Sequence, residues 1–500
     1  MCQIILDNNA LQTICIAQLT VWYGSPITDE KALRAIHESF KPELNETLNI
    51  TILHLLIQMY TKYLKQHPEF KTIVSRVKEL FKASKHNPTE LSKLIDTYLI
   101  PQETEKKQNA EVSTPYTLRQ EMLNSIPKDF WTQPRTVFEP CCGKGGFVLD
   151  VVHRFMKGLQ QHEPNESKRY KLIVEKCVYF ADINPVNIFI TRLLLDPKEQ
   201  YSLLYYEGNT LELNIQQIWN RDGFDLVVGN PPYNDASGNK GKGHTLWTRF
   251  VEIALDQWTH SQSYLLYVHP ALWRQVEHPL LSKLLHFHIQ HLHIYNEKDG
   301  LQTFKCNTRY DWYLLYKITS CSSLSTRIRD EEKKTHDIFL HNWTFIPNKW
   351  FEIIQKLLAK SKEEQCIILK ERSTYGTDKP HTRKEKVDSF CYPCIYSINR
   401  KNEPKFYWTN DNTKGHFGIP KVIYGSGATG FLSDKEGKYA LTEWCSGIVC
   451  PSKEHDKLLQ IMNSDKFHQF KLALSVSKAE INTKNLRLLK QNWWNDSFWN

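Results

Sequence analysis

Long hydrophobic runs are missing from this 500-residue sequence. No uninterrupted apolar stretch reaches the roughly 18 to 20 residues that a membrane span needs. The opening stretch MCQIILDNNALQTICIAQLTVWYG carries Asp7, Gln12 and Gln18 where a secretory signal would have a basic head and a clean apolar centre. A soluble intracellular chain without membrane contact, in cytoplasm or nucleus, is therefore expected. Clustered cysteines are missing too: the 12 Cys are scattered, as suits free thiols in a reducing compartment and not a small disulfide framework. There is no internal repeat and no long low-complexity tract. Negative charge is in modest deficit, with 64 Lys and Arg against 55 Asp and Glu. The net charge of +9 favours a polyanionic partner, but an excess spread so thinly is only suggestive.

What is present is an ordinary globular composition, 41% hydrophobic and 24% charged, with 14 Trp and 23 Tyr. Its length allows two to four domains. Residues 1–105 carry helical signals. Thr28 precedes Asp29 and Glu30, then Leu33, Ile36 and Phe40 share a face. Leu48, Ile52, Leu55, Leu56 and Met59 repeat the spacing, as do Leu91, Leu94, Ile95 and Tyr98 after Thr89. The polar stretch 101–113 reads as a linker. Residues 106–320 change to short apolar runs alternating with longer segments: TVFEP, VYFAD, FDLVVG and SYLLYVHP as strands, VLDVVHRFM, NIFITRLLL and LWTRFVEIALDQW as helices. Such alternation predicts an α/β fold with a mostly parallel sheet and crossover helices, closed by an antiparallel pair, HLHIYN and DWYLLYKI. Residues 321–500 lose that alternation and read as a separate, irregular, partly β domain rich in basic and aromatic loops.

Three motifs carry chemistry. In FEPCCGKGGF, 138–147, a strand delivers glycines into a helix start, a turn that lets backbone approach a cofactor closely. The order is neither GxGxxG nor a Walker A loop, because no Lys followed by Ser or Thr closes the run. Asp182, in YFADINP, ends the next strand where doubly wound folds place an acid for ribose hydroxyls; an acid there also suits a cap for the following helix. It follows the glycines by roughly 35 to 40 residues, whereas a dinucleotide fold has about 20. In DLVVGNPPYND, 225–235, an apolar strand stops at two prolines that lack N–H donors, so the Asn230 amide and the carbonyls beside it are presented instead of being consumed by a ladder.

In this order the three motifs resemble S-adenosylmethionine-dependent DNA adenine-N6 methyltransferases of the gamma class, the restriction-modification type with an NPPY motif. STPYTLRQEML, 113–123, resembles the cofactor motif that this class places ahead of the glycine loop. The resemblance covers roughly residues 110–320. It implies a Rossmann-like methyltransferase domain followed by a C-terminal mixed α/β target-recognition domain. Thr114, Glu139, Cys141 and Gly143 would contact the methionine part of S-adenosylmethionine, Asp182 the ribose and Asn209 the adenine, although the family usually has Asp at that last position. Asn230, Pro231, Pro232 and Tyr233 would form the catalytic motif, Tyr233 stacking on a flipped base and Phe304 serving as second aromatic. Double-stranded DNA would be the substrate and a cognate restriction endonuclease a possible partner. No metal is implied.

Other features fit less chemistry. Cys391 and Cys394, with Cys445 and Cys450, form a conceivable zinc set of irregular spacing. The run KPHTRKEK, 379–386, and the loop GNKGKGHTLW, 238–247, suit DNA phosphates or simple solvation. PKVIYGSGATGF, 420–431, reads as a recognition-domain strand pair. RNA bases or protein glutamine are alternative substrates for an NPPY enzyme. A fused nuclease would need clustered carboxylates and a lysine, and residues 1–105 show no such cluster.

Overall fold

The computed structural model describes residues 80, 83, 88–99, 112–196, 200–234, 245–319, 323–370, 372–425, 430–476 and 481–499. The helical expectations at 28–59 lie outside the described residues, as does most of the 238–247 loop. The expected helix near 89–98 is present as α1, Pro88–Tyr98.

The strands β1 (Val137–Glu139), β2 (Val178–Asp182), β3 (Leu204–Glu207), β4 (Phe224–Gly229), β5 (Thr259–Pro270), β6 (His288–Tyr295), β7 (Tyr310–Tyr316), β8 (Thr326–Arg329) and β9 (Thr335–Ile338) form one sheet. Their order is β3-β2-β1-β4-β5-β7-β6-β8-β9. Strands β3 to β5 are parallel neighbours, while β7 runs antiparallel between β5 and β6. This is the mixed α/β, mostly parallel architecture expected. Strands β1 and β2 are buried throughout, and apolar up to the acid that ends each, because helices cover both faces. Alternate residues divide between two cores: Leu226, Val228 and Phe180 face one, Val227, Phe138 and Tyr267 the other.

The chain leaves β1 toward β2 on one side and reaches β4 on the other, so the sheet order reverses at β1. A crevice opens at the carboxyl ends of β1, β2 and β4. Helices α2 (Tyr116–Leu123), α3 (Gly146–Gly158), α4 (Pro185–Leu195), α5 (Leu246–Ile253) and α6 (Glu297–Phe304) flank the sheet. Helix α4 begins where the Asn184 side chain accepts the Val186 N–H, with Pro185 in the first turn.

The structure departs from the sequence reading in three places. Strand β3 is half-exposed, so it lacks the apolar run that marks its neighbours. The sheet does not stop at residue 320, because β8 adds in parallel to β6 and β9 pairs with β8. The core on the Phe138 face also takes in Phe345, Ile448, Phe470 and Trp494, so the C-terminal residues share it. Arg274 and Asp311, both fully buried, pair at 2.6 Å. From there Arg274 donates to Asn348, whose amide donates to the carbonyls of Leu472 and Ser475.

Beyond the large sheet lie two four-stranded sheets. One contains Lys421–Gly425 and Phe431–Asp434, the expected antiparallel pair. The other contains Tyr392–Ile398 and Pro404–Thr409. The zinc reading gains no support: Cys394, Cys445 and Cys450 are buried core thiols, each pushed up to about 12 chiefly by burial. Among the described residues no group of three or more His, Cys, Asp or Glu side chains is placed to hold a metal ion. No helix among them is long and apolar enough to cross a membrane.

Candidate active site

Strand β1 ends at Glu139 and passes into the glycine loop. Gly143 and Gly145 sit at φ of 50° and 80°, the left-handed region that glycine occupies without steric cost. A Cβ on Gly145 would stand 2.9 Å from the Thr191 hydroxyl, and one on Gly146 2.8 Å from the Arg119 guanidinium. The loop is tied to β2: Cys142 N–H donates to the Ala181 carbonyl at 2.9 Å, and Gly143 N–H to Asp182 Oδ2 at 2.8 Å. The other Asp182 oxygen accepts from Asn184 N–H at 2.8 Å and Asn187 Nδ2 at 3.2 Å. Asp182 thus joins two loops at the crevice, and the helix cap itself is Asn184.

The upstream segment closes one wall. Arg119, 2% exposed, donates to the Thr114 carbonyl at 2.6 Å, to Asp150 at 2.7 Å and to Asp96 at 3.1 Å. Helix α1 supplies Asp96, so it buttresses the Thr114 rim. On the opposite side Asn209 caps a short turn, its oxygen accepting Leu211 N–H at 3.3 Å and its amide donating to Glu212 at 2.6 Å.

At the end of β4 the two prolines end the ladder, and Tyr233 is stapled to α5 by Leu246 N–H donating to its carbonyl at 3.1 Å. Asn230 Nδ2 reaches the Val112 carbonyl at 3.4 Å, while Oδ1 is buried with no partner. The Tyr233 hydroxyl is likewise buried and unpartnered, and burial raises its pKa. Phe304 stands edge-on to Tyr233, with ring centroids 6.4 Å apart, and packs on Tyr310. Being 8% exposed in the core behind Tyr233, it is outside the cavity lining and braces the tyrosine instead of facing it across a gap.

A cavity of about 470 Å3 brings together Thr114, Glu139, Cys141, Gly143, Asp182, Asn209 and the 230–233 motif, ten positions expected to meet. It also takes in Arg119, Lys144, Ile183 and Arg249, which the sequence reading did not single out. Of these, Ile183 had a local signal: it directly follows the acid that ends β2, and it is 59% exposed despite being apolar.

The electrostatics are uneven. Glu139 is 4% exposed and its Oε2 has no partner. Burial holds its carboxyl well above the usual range, Arg119 opposing that shift and Asp182 adding to it. Burial likewise raises the Cys141 thiol, which is neutral. A buried acid with one unpartnered oxygen, a glycine turn that admits close backbone approach and an acid at the neighbouring strand end together fit S-adenosylmethionine, a ligand with cationic groups and a ribose.

Residues 176–300 match the family model described as Eco57I restriction-modification methylase. A search of curated proteins finds no match. Among solved structures, the chain is similar to a modification subunit assigned to a type I restriction enzyme from Vibrio vulnificus YJ016, at 16% identity and TM-score 0.35 over 47% of this chain and 50% of that one. It is also similar to the type IIL restriction-modification enzyme MmeI in complex with DNA, at 12% identity and TM-score 0.40 over 75% of this chain and 63% of that one. The third is the DrdV–DNA complex, at 11% identity and TM-score 0.43 over 94% of this chain and 62% of that one. The chain thus spans half the length of the Vibrio subunit. The family match runs from the turn before β2, through Asp182 and Asn230, into α6, and the resemblance drawn from the motifs stands at the level of a restriction-modification methylase, to which this segment is similar.

Proposed function

We propose that the chain methylates the exocyclic N6 amino group of adenine in double-stranded DNA with S-adenosylmethionine as donor. When bound, S-adenosylmethionine supplies an electrophilic methyl group on a sulfonium. Thr114, Glu139, Cys141 and Gly143 would hold its methionine end, Asp182 its ribose, and Asn209 with Ile183 its adenine. The observation that carries the reading is the Asn230 oxygen, buried at the cavity and left without a hydrogen-bond partner.

The amine of adenine is a poor nucleophile because its lone pair is delocalised into the ring. Two acceptors aimed at its two hydrogens localise that lone pair on nitrogen, a preorganised electrostatic effect. Asn230 Oδ1 and the Pro231 carbonyl are such a pair, and Pro232 keeps the backbone from spending them on a ladder. Tyr233 offers an aromatic face to a base that has left the duplex stack, with Phe304 bracing that ring from behind. The transferred product sheds its extra proton to solvent readily, so no general base of raised pKa is needed. Residues 321–500 would choose the target sequence, with Phe431 and the Lys421–Gly425 strand in the recognition part. A cognate endonuclease would be the biological partner.

The test is transfer of labelled methyl from S-adenosylmethionine to unmethylated duplex DNA, RNA and protein extract in parallel, followed by nucleoside mass spectrometry. The expected result is N6-methyladenine in DNA, lost with Asn230→Ala. Label in RNA or in protein glutamine would reassign the substrate, and label nowhere would overturn the reading.

A further inference from the structure

A second cavity, of about 320 Å3, opens on the distal half of the large sheet. Strands β6 and β8 run parallel with His291 beside Arg327 and His293 beside Arg329, so these four side chains share one face. Leu292 and Ile328 between them are fully buried on the other face. The His293 ring lies on the Trp312 indole, centroids 3.9 Å apart and 28° from parallel. Its Nδ1 faces Glu121 of α2 at 2.8 Å and, opposite a carboxylate, donates; the Tyr295 hydroxyl donates to the same oxygen at 2.6 Å and Arg329 at 3.3 Å.

One carboxylate oxygen, Glu121 Oε1, therefore answers three donors, and Glu121 itself forms part of the cavity wall. Arg327 and His291 line the cavity with no hydrogen bond or ion pair among the described residues. Asp337 stands across from Arg327 on β9, outside the cavity lining. Both imidazoles are depressed below their usual range, first by burial; His293 and then Arg327 add to this for His291, while for His293 Glu121 opposes it and Arg329 with Lys333 add to it. His291, as a neutral ring, has one N–H to offer, whereas the single N–H of His293 is spent on Glu121. Asn124 and Ser125 complete the wall where α2 ends.

We propose that this cavity binds a phosphate-type oxyanion, with Arg327 and Arg329 supplying charge and His291 an N–H. A guanidinium fork matches two phosphate oxygens, and a concave basic site raises the local anion concentration. The source is either a DNA backbone phosphate or a free phosphate. Helix α2, about 12 Å long at 1.5 Å per residue, separates the cavity from the Thr114 rim. That is the span of about three or four nucleotides of one strand.

The test measures binding of pyrophosphate by calorimetry, and of an unmethylated duplex at several salt concentrations, to the full chain, Arg327→Gln and His291→Gln. Neither substituted side chain has a partner among the described residues, so both variants should melt with the parent chain. At least a tenfold loss of pyrophosphate affinity in the variants identifies a free-anion site. A fall of about one in the slope of log affinity against log salt for Arg327→Gln, with pyrophosphate unbound, identifies a backbone contact. Variants indistinguishable from the parent in both arms, or a parent that binds neither ligand, overturn the proposal. The pyrophosphate arm is independent of the methylation reading, so the two can fail separately.

Discussion

Glu139 has a carboxyl oxygen buried without a partner, and burial holds the acid protonated above its ordinary range. A carboxyl whose folded pKa lies above its unfolded value contributes stability below the unfolded pKa and loses it as pH rises through the folded one. Glu139→Gln removes that cost, so the ligand-free variant should be more stable at neutral pH by on the order of 1 kcal/mol, read as a higher melting temperature. It should also bind S-adenosylmethionine about 10- to 100-fold more weakly, because a hydrogen bond to a charged group contributes roughly 1.5–3 kcal/mol; calorimetry checks this. A variant that is no more stable, or binds as tightly, contradicts the role assigned to Glu139. Tyr233 separates two contributions in the same way. Its hydroxyl has no partner, so Tyr233→Phe should keep kcat/KM within a few-fold, whereas Tyr233→Ala should lose about 1–3 kcal/mol of base stacking, seen in single-turnover methylation.

Helix α2 links both cavities. From one side Arg119 holds Asp96, Asp150 and the Thr114 carbonyl; from another Glu121 accepts from β6 and β8. Arg119→Met would strand Asp150, 4% exposed, without its guanidinium partner. Removing one partner of a buried pair costs about 3–5 kcal/mol, so denaturant unfolding should show a loss of that size, with weaker S-adenosylmethionine binding as the Thr114 rim loosens. For Glu121, burial alone would raise the pKa, but hydrogen bonds from His293 and Tyr295 and the charge of Arg329 outweigh it and bring it to about 2. A depressed carboxylate pKa contributes stability above the unfolded value, near 4.5, that is lost as pH falls toward 2. Glu121→Gln should therefore flatten the stability profile across that acid window and leave the shape of the profile above it unchanged. Melting curves across that range decide it.

At the scale of the whole molecule, residues 321–500 share much of their core with the large sheet, while two small clusters around Ile395 and Tyr375 lie apart from it. Strands β8 and β9 extend the sheet, the core on the Phe138 face runs on into Phe470 and Trp494, and Arg274 ties Asp311 to Asn348. A chain cut after residue 320 should expose that apolar face, bind a hydrophobic dye and lose cooperative unfolding. A truncated form that melts cooperatively would show that the C-terminal residues are dispensable for folding.

The sequence by itself determined the local pieces. The apolar runs that become β1, β2 and β4 are buried on both faces, so they need no alternation and stand out. The prolines after Asn230 must end a strand because they lack N–H donors, and the glycines after Cys142 suit a left-handed turn. Ten of the residues read from those motifs line one cavity. Only the tertiary structure decided what depends on groups distant in sequence. Asn230 Oδ1 is left without a partner while its amide turns to the Val112 carbonyl, 118 positions away. The Glu139 carboxyl is held above its usual range because surrounding chain excludes water, Phe304 braces Tyr233 from the core side, and Arg119 and Arg249 reach the wall from helices with no local mark of it. Strands β8 and β9 were not legible because short, half-exposed strands carry little periodic signal. Their place in the sheet comes from pairing with β6, whose edge accepts them.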